Sequence, residues 1–365
     1  MSSKISGNPP LPPHSRKINN TKNVNIFDAN IFDVGAYAYH LPQALIAEHP
    51  LKERDQARLM VINRHQQTID HDIFKNIGKY LPAKSALVVN DSKVIAARLL
   101  GIKLSTGAKV EIFLLKQLDD FHFEALLKPL KRIKEHDPID LGQGINVCLV
   151  NRESRTVKFN KPNILTVLEN IGHIPLPPYI KRQDNADDKV LYQNVYANKL
   201  GSVASATAGL HFTQELIDEL KAKGHPFLST TLHIGYGTFK PVEVADIRQH
   251  PMHHESYELF SDVYAKLDRF KKDGMPIVAV GTTSCRVLES VALNGVLKGS
   301  TNIFIYPGFS FKMVDVLITN FHLPQSTLLM LVSAFGGYDL IKRAYEEAIR
   351  AKYRFYSYGD AMIII

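Results

Sequence analysis

Asn320, His322 and Gln325 fall within six residues of one another, between the apolar run Val316, Leu317, Ile318 and a second run formed by Leu328, Leu329, Leu331 and Val332. Histidine changes charge near neutral pH and the two amides both donate and accept hydrogen bonds, so the group suits recognition of, or proton exchange with, a polar ligand. The elements that must hold it are legible. The first run reads as a buried strand, Pro324 breaks the backbone, and Ser326 or Thr327 can cap a helix carrying the second run. Open α/β sheets and barrels place ligands at a strand's carboxyl end, before a helix N-terminus.

The same construction recurs. Between Pro276 and Ser290 an apolar strand, Ile277 to Val280, ends at Gly281; Thr282, Thr283, Ser284 and Arg286 follow, on a helix that repeats Val287, Leu288, Val291 and Ala292. Hydroxyls and free amides at a helix start suit a phosphate or carboxylate. A β-branched strand beginning at Leu228 gives way to His233, Gly235 and Gly237, and the small-residue segment Ser202 to Phe212 carries His211. Four polar strand ends in one half of the chain point to one shared active site. His250, His253, His254 and Glu255 cluster in sequence, but Pro251 prevents a regular helix from presenting them together. Acid–base or hydrogen-bonding work is therefore expected of them, and no metal. His173 and His225 are read as structural.

At 365 residues, with 45% hydrophobic and 22% charged side chains, the chain has the composition of a soluble globular protein large enough for two domains, or for one domain with an insertion. No apolar run approaches the roughly 20 residues of a membrane span. Residues 1 to 30, rich in Pro, Asn, Ser and Lys, read as a disordered tail and not a signal peptide. Cys148 and Cys285 form neither a metal-spacing motif nor a disulfide framework, which fits a reducing cytoplasm. The net charge of +8 favours a polyanionic partner, and Lys128, Lys131, Arg132 and Lys134 concentrate part of it within seven residues.

From about Leu99 to Asn160 the chain is β-rich, with short strands joined by tight turns, and reads as a small barrel or sandwich. From Ile164 onward helix and strand alternate. Thr213 to Gly224 and Ser261 to Gly274 both read as amphipathic helices with a hydroxyl cap and a glycine stop. The expected fold is thus an αβ layer interrupted by an inserted all-β module. There is no GxxxxGK[ST], no third glycine after Gly235-Tyr236-Gly237, and no HExxH.

Taken together, the stretches VVNDSKVIAARLLG, LLKPLKRIK, IPLPPYIKR, YQNVYA, TAGLHFT, TLHIGYGTFKPV, HPMHHESYEL, VAVGTTSCRVLES, IFIYPGF, TNFHLPQSTLLMLVSAFGGY and YRFYSYGDAM resemble the S-adenosylmethionine:tRNA ribosyltransferase-isomerase family of queuosine biosynthesis, in family order, from about Phe32 onward. The resemblance implies an α/β barrel-like main domain (31–98 and 164–365) with an inserted small all-β barrel (99–163). It also implies transfer and isomerisation of the ribosyl part of S-adenosylmethionine onto 7-aminomethyl-7-deazaguanine at the tRNA wobble position. Epoxyqueuosine forms, and adenine and methionine leave. The sulfonium compound is then a consumed substrate and not a cofactor, and the enzyme is expected to be a cytoplasmic monomer. Ser205-Ala206 stands where the family usually has Ala-Pro, Ala96 replaces a proline and Cys285 an aliphatic residue, so loops beside the site are expected to be looser.

That chemistry assigns roles. The sulfonium acidifies a hydrogen on the adjacent ribose carbon, and its removal needs a base near neutral pH; adenine leaves more easily if protonated. His211, His233, His253 and His322 are the candidates for base and acid, with Asp360 and Glu255 behind them. Thr282, Thr283, Ser284 and Arg286 are placed on the methionine carboxylate, Asp91 on a ribose hydroxyl or amine, and Arg98 on a phosphate. Thr207, Thr238 and Asn320 complete the substrate-binding set. Lys128, Lys131, Arg132 and Lys134 are expected to hold RNA. A tRNA-binding protein without catalysis would keep the basic run but need no polar strand ends. An ordinary methyltransferase would carry a glycine-rich first βα turn, which is missing.

Overall fold

Short, almost wholly apolar runs make the strands Ala86–Asn90, Ile277–Val280 and Val316–Asn320, and every residue of the three is buried. Such runs suit a parallel sheet covered on both faces. With Phe227–Leu232 they lie side by side and parallel, in the order 227–232, 86–90, 277–280, 316–320. The computed structural model describes residues 30–239 and 241–365; apart from Asn30, the tail lies outside them.

Among the described residues the main sheet has nine strands. Beyond Val316–Asn320 come Ala361–Ile364, antiparallel to it, then Arg58–Asn63, parallel, and Thr68–Ile73, antiparallel. On the other side Glu255–Glu258 and Lys298–Thr301 add antiparallel strands. The mixed α/β fold is as expected, but the main sheet is open and not barrel-like. Antiparallel pairs end it on both sides, so the repeated parallel βα crossover that closes a barrel does not continue.

Alternate residues along each strand enter different cores. Met60, Ile62, Val88, Ile277, Ala279 and Leu317 join one cluster with side chains of the helices Gly281–Asn294, Thr327–Gly336 and Tyr338–Arg350. Leu59, Val61, Leu87, Val89, Val278 and Ile318 join a second cluster with Phe74, Ile77, Leu216 and Leu220. The sheet is therefore the middle of three layers. Thr213 caps its helix as expected, its hydroxyl accepting from Leu216 N at 3.1 Å. The second expected cap is corrected: Ser261 is already helical, Phe260 is the cap residue, and no side chain caps that end.

Arg98–Lys103, Lys109–Gln117, His122–Lys128, Ile139–Asp140, Asn146–Asn151 and Thr156–Phe159 pair only antiparallel and close on themselves as a six-stranded barrel. Strict alternation explains it: Val110, Ile112 and Leu114 point inward from one strand, Phe123, Ala125 and Leu127 from the next. Residues 31–365, barrel included, form one compact unit.

Candidate active site

Because four neighbouring strands are parallel, their carboxyl ends emerge at one edge of the sheet, bringing Asp91, His233, Gly281 and Asn320 to the same side. Gly281 adopts φ +90°, a left-handed conformation that favours glycine, and turns strand 277–280 directly into its helix. Thr282 and Thr283 thus stand in the first helical turn. Two cavities open here. The smaller, about 60 Å³, is bounded by Thr207, Thr238, Thr282, Thr283, Asn320 and His322. The larger, about 420 Å³, is bounded by His250, His253, His254, Glu255 and Arg286, with Ile303, Ile305 and Leu331 as apolar wall. Thr238 and Leu328 line both, so the two are contiguous.

Polar atoms with nothing to bond mark this edge. Asn320 donates from Nδ2 to His211 Nε2 and to the Tyr356 carbonyl, both at 3.1 Å, while its buried Oδ1 has no partner. The Thr283 hydroxyl is buried and unpartnered too. Glu255 accepts the Gly235 amide at 3.0 Å on one oxygen and pairs with Arg286 Nη1 on the other. Arg286 Nε and Nη2 remain buried without partners. Those two nitrogens form one edge of the guanidinium, the fork that takes a carboxylate or phosphate through two parallel bonds. Glu255 fixes the plane from the far side. A Cβ on Gly237 would lie 2.3 Å from the His253 ring, so a side chain there would displace that exposed imidazole.

The histidines differ in their surroundings. His322 is buried on the small cavity, its Nε2 2.9 Å from the Thr319 hydroxyl and its backbone N–H donating to Tyr345 Oη at 2.8 Å; Tyr39 Oη donates to its carbonyl. Burial pushes its pKa down to about 3. His211 lies behind Asn320 with its ring centroid 5.0 Å from that of Phe74, and burial, then Arg354 and Arg54, lower it to about 3 as well. Both imidazoles are uncharged at neutral pH.

Other sequence-derived candidates lie elsewhere. Asp91 is buried beside the edge, its Oδ1 accepting from the Thr231 hydroxyl at 2.6 Å, and burial raises its pKa. His233, lowered mainly by burial, packs beside Gly201 and borders neither cavity. Ser284 donates to Val280 O at 2.9 Å and does not reach the cavities. Asp360 accepts the backbone N–H groups of Arg58 and Arg354, at 3.0 and 2.7 Å, and ties two chain segments together. Arg98 pairs with Glu111 at 2.9 Å on the barrel. Lys128, Lys131, Arg132 and Lys134 are exposed around the short turn Leu130–Arg132, and none is in an ion pair among the described residues. No group of three or more His, Cys, Asp or Glu placed to hold a metal ion occurs among the described residues.

Some cavity residues carry no obvious mark in the sequence. Tyr179, Ser205, Tyr356 and Ser357 line the smaller cavity, with Tyr179 Oη 2.6 Å from Ser357 Oγ. Tyr356 sits at φ +72°, which costs about 1–3 kcal/mol for a non-glycine residue and persists only where the surroundings hold it. Tyr179, Tyr356 and Ser357 belong to IPLPPYIKR and YRFYSYGDAM, two of the stretches that carry the family resemblance, so a signal existed.

A family model described as a queuosine biosynthesis protein matches residues 34–364. The S-adenosylmethionine:tRNA ribosyltransferase-isomerase of Sulfurihydrogenibium sp. (strain YO3AOP1) is 49% identical over 331 residues, 90% of this chain and 98% of that one. Its counterpart in Staphylococcus haemolyticus is 47% identical and covers 91% of this chain and 100% of its own. The crystal structure of S-adenosylmethionine tRNA ribosyltransferase from Thermotoga maritima superposes with a TM-score of 0.53 at 36% identity, covering 92% of this chain and all of that one. The chain belongs to the queuosine biosynthesis family, whose named relatives are S-adenosylmethionine:tRNA ribosyltransferase-isomerases.

Proposed function

We propose that this protein transfers and isomerises the ribosyl moiety of S-adenosylmethionine onto 7-aminomethyl-7-deazaguanine at the wobble position of a tRNA, forming epoxyqueuosine and releasing adenine and methionine. Beyond family membership, one observation carries the reading: Arg286, whose Nε and Nη2 are buried without partners, is among the residues around a cavity of about 420 Å³, inside the range of roughly 300–1,000 Å³ typical of small-molecule sites. The methionine carboxylate takes that edge. Ile303, Ile305 and Leu331 pack against the apolar parts, and the ribose reaches the smaller cavity, where Asn320 Oδ1 and the Thr283 hydroxyl have bonds to give or accept.

In this arrangement His322 receives the proton from the ribose carbon beside the sulfonium, held in place through Thr319. The electron pair left on C5′ breaks the C4′–O4′ bond, the freed oxygen closes an aldehyde at C1′, and adenine leaves with the electrons of its glycosidic bond. The aminomethyl nitrogen adds to C4′ of the resulting vinyl sulfonium and gives up a proton; the ylide carbon so formed attacks C1′ to close the five-membered carbocycle, and the alkoxide displaces methionine from C5′ to form the epoxide. The departed adenine takes up one proton. His253 in the larger cavity is the group to protonate it, and His211 acts through Asn320 as a positioning residue. S-adenosylmethionine is consumed as substrate and no separate cofactor enters. The barrel, residues 99–163 inserted in a main domain of 31–98 and 164–365, holds the RNA backbone through Lys128, Lys131, Arg132 and Lys134. Monomeric work in the cytoplasm fits these substrates; no helix among the described residues is long and apolar enough to cross a membrane.

Mass spectrometry of digested tRNA tests the proposal. Loss of the aminomethyl base matched by epoxyqueuosine, adenine and methionine is expected. Methylated RNA with S-adenosylhomocysteine overturns it.

A further inference from the structure

The stretch Tyr306 to Phe311, just past the apolar wall of the larger cavity, has no part in the chemistry above, yet it builds a distinct surface. Tyr306-Pro307-Gly308-Phe309 is a tight turn closed by Phe309 N–H donating to Tyr306 O at 3.1 Å. Gly308 at φ +102° follows a proline, the type II signature, in which proline presets the first corner residue and glycine accepts the left-handed second. The turn sets Tyr306 and Phe309 at the mouth of a cavity of about 350 Å³ whose other walls include Phe32, Phe304 and Arg248. The ring centroids of Phe304 and Tyr306 are 5.1 Å apart and edge-on, and the Arg248 guanidinium lies 4.5 Å from the Phe32 ring centroid. Asp246 holds Arg248 in place through a 2.6 Å bond. Tyr306 and Phe309 are only half-buried and Arg248 is exposed. Phe304 also lines the large cavity that carries His253 and Arg286, so the aromatic cradle continues directly from the site.

Aromatic rings beside a guanidinium, open to solvent and next to a site that works on one nucleotide, match the way proteins stack single-stranded bases. We infer that this cradle receives an unpaired base of the anticodon loop, a neighbour of the modified nucleotide, and stacks it on Tyr306, Phe309 or the Arg248 plane. The inference rests on the tRNA reading above and deepens it. A wobble base drawn into the cavity leaves its loop neighbours unstacked, and the cradle replaces that stacking. Because every base has a π-face, the cradle grips the loop without reading its sequence.

The test pairs RNA and protein changes. Anticodon stem-loops carrying a single abasic nucleotide at each loop position in turn are titrated against wild type, Tyr306→Leu and Phe309→Leu by fluorescence anisotropy, with thermal melts to check folding. Wild type should lose roughly tenfold or more in affinity at one abasic position beside the modified nucleotide. A leucine variant should bind the intact loop about as weakly as wild type binds that abasic loop, and lose little more when the two changes are combined. Equal, additive losses in wild type and variants overturn the inference while leaving the tRNA reading intact, as does a wild type indifferent to every abasic position. If S-adenosylmethionine binding falls in the variants and abasic sensitivity is unchanged, the cradle holds the adenine of the small substrate and the inference is wrong. No binding of any stem-loop by wild type overturns the inference and the tRNA reading together.

Discussion

The barrel and the carboxyl edge of the main sheet are built on opposite terms. In the barrel, alternate residues fill an interior of Val, Ile, Leu and Phe, and every buried polar side-chain atom among the described residues has a partner. Lys103, its one buried lysine, is paired with Asp137 at 2.7 Å. At the sheet edge, Asn320 Oδ1, the Thr283 hydroxyl and two nitrogens of Arg286 are buried with nothing to bond. A buried polar group without a partner costs about 1–3 kcal/mol, so a fold that keeps several together retains them for what they will bind. The barrel's unsatisfied groups are of another kind: exposed cations that water already solvates. On the proposed reading one region takes the small substrate and the other the long polyanion, and the perturbations below separate them.

The largest effect is expected at the edge. His322→Ala should lower turnover by roughly 10²-fold or more, the usual scale of a lost proton-transfer group, without weakening tRNA binding. Near-normal turnover of the folded fraction would make His322 a packing residue. Since its pKa lies near 3, kcat/KM should show no acidic limb from it between about pH 5 and 8. An acidic limb in that range that vanishes in His322→Ala would contradict this.

Arg286→Lys comes next. Lysine keeps the charge opposite Glu255 but loses the two-pronged edge, so the Kd for S-adenosylmethionine should rise roughly 10- to 100-fold, the worth of a charged hydrogen bond or two. Calorimetry with the sulfonium substrate and anisotropy with tRNA read the two regions separately; an equal loss in both would erase the distinction between them.

Acid should also act on the sheet region. His211 and His322 are buried uncharged, with folded pKa values near 3 against 6.5 ordinarily. The unfolded chain therefore binds more protons. Their stabilising contribution is complete above about pH 6.5 and is lost as pH falls towards 3. At pH 5 the loss is roughly 2 kcal/mol per histidine. Thermal melts at pH 7.5 and 5 should show a fall in Tm that a His211→Gln variant shares only in part; an undiminished fall in that variant would exclude His211 as a source.

On the barrel, Lys131→Ala with Arg132→Ala should raise the tRNA Kd several-fold. The log–log salt slope should flatten by about 0.7 to 0.9 for each phosphate no longer neutralised, with S-adenosylmethionine affinity near wild type. An unchanged slope in a folded protein would make the run a solvated turn. The smallest effect is at Ala206, on the wall of the smaller cavity, where φ −75° already suits proline. Ala206→Pro should add about 0.4–1 kcal/mol of stability by restricting the unfolded chain, read as a modest rise in Tm. A loss of stability would show that this loop needs the backbone N–H.

How much of this was legible in the sequence follows from how local each determinant is. Apolar runs marked the parallel strands, and Thr213 and Ser326 were recognisable as caps because their partners, Leu216 N and Leu329 N, lie three residues on. Thr282, Thr283, Asn320 and His322 could be grouped because each lies at or just past the carboxyl end of a strand. Ser284 could not be told from Thr283, since only the helix start at Gly281 decides which hydroxyl turns back to Val280. The tie that Asp360 makes to the Arg58 amide could not be read, because that partner is 302 residues away. Tyr356 was missed because nothing in its side chain announces a left-handed backbone. The open sheet depended on Ala361–Ile364 slotting beside Arg58–Asn63, a pairing that no local pattern reveals.

The most direct test follows two labels. Wild-type protein is incubated with the aminomethyl-bearing tRNA and S-adenosylmethionine labelled either in the ribosyl carbons or in the methyl group, and the digested RNA is counted. A transferase acting at the strand-end cavities should deliver the ribosyl label into the wobble nucleoside and leave the methyl label in free methionine. Methyl label in the RNA, or ribosyl label confined to small molecules after complete turnover, would contradict it.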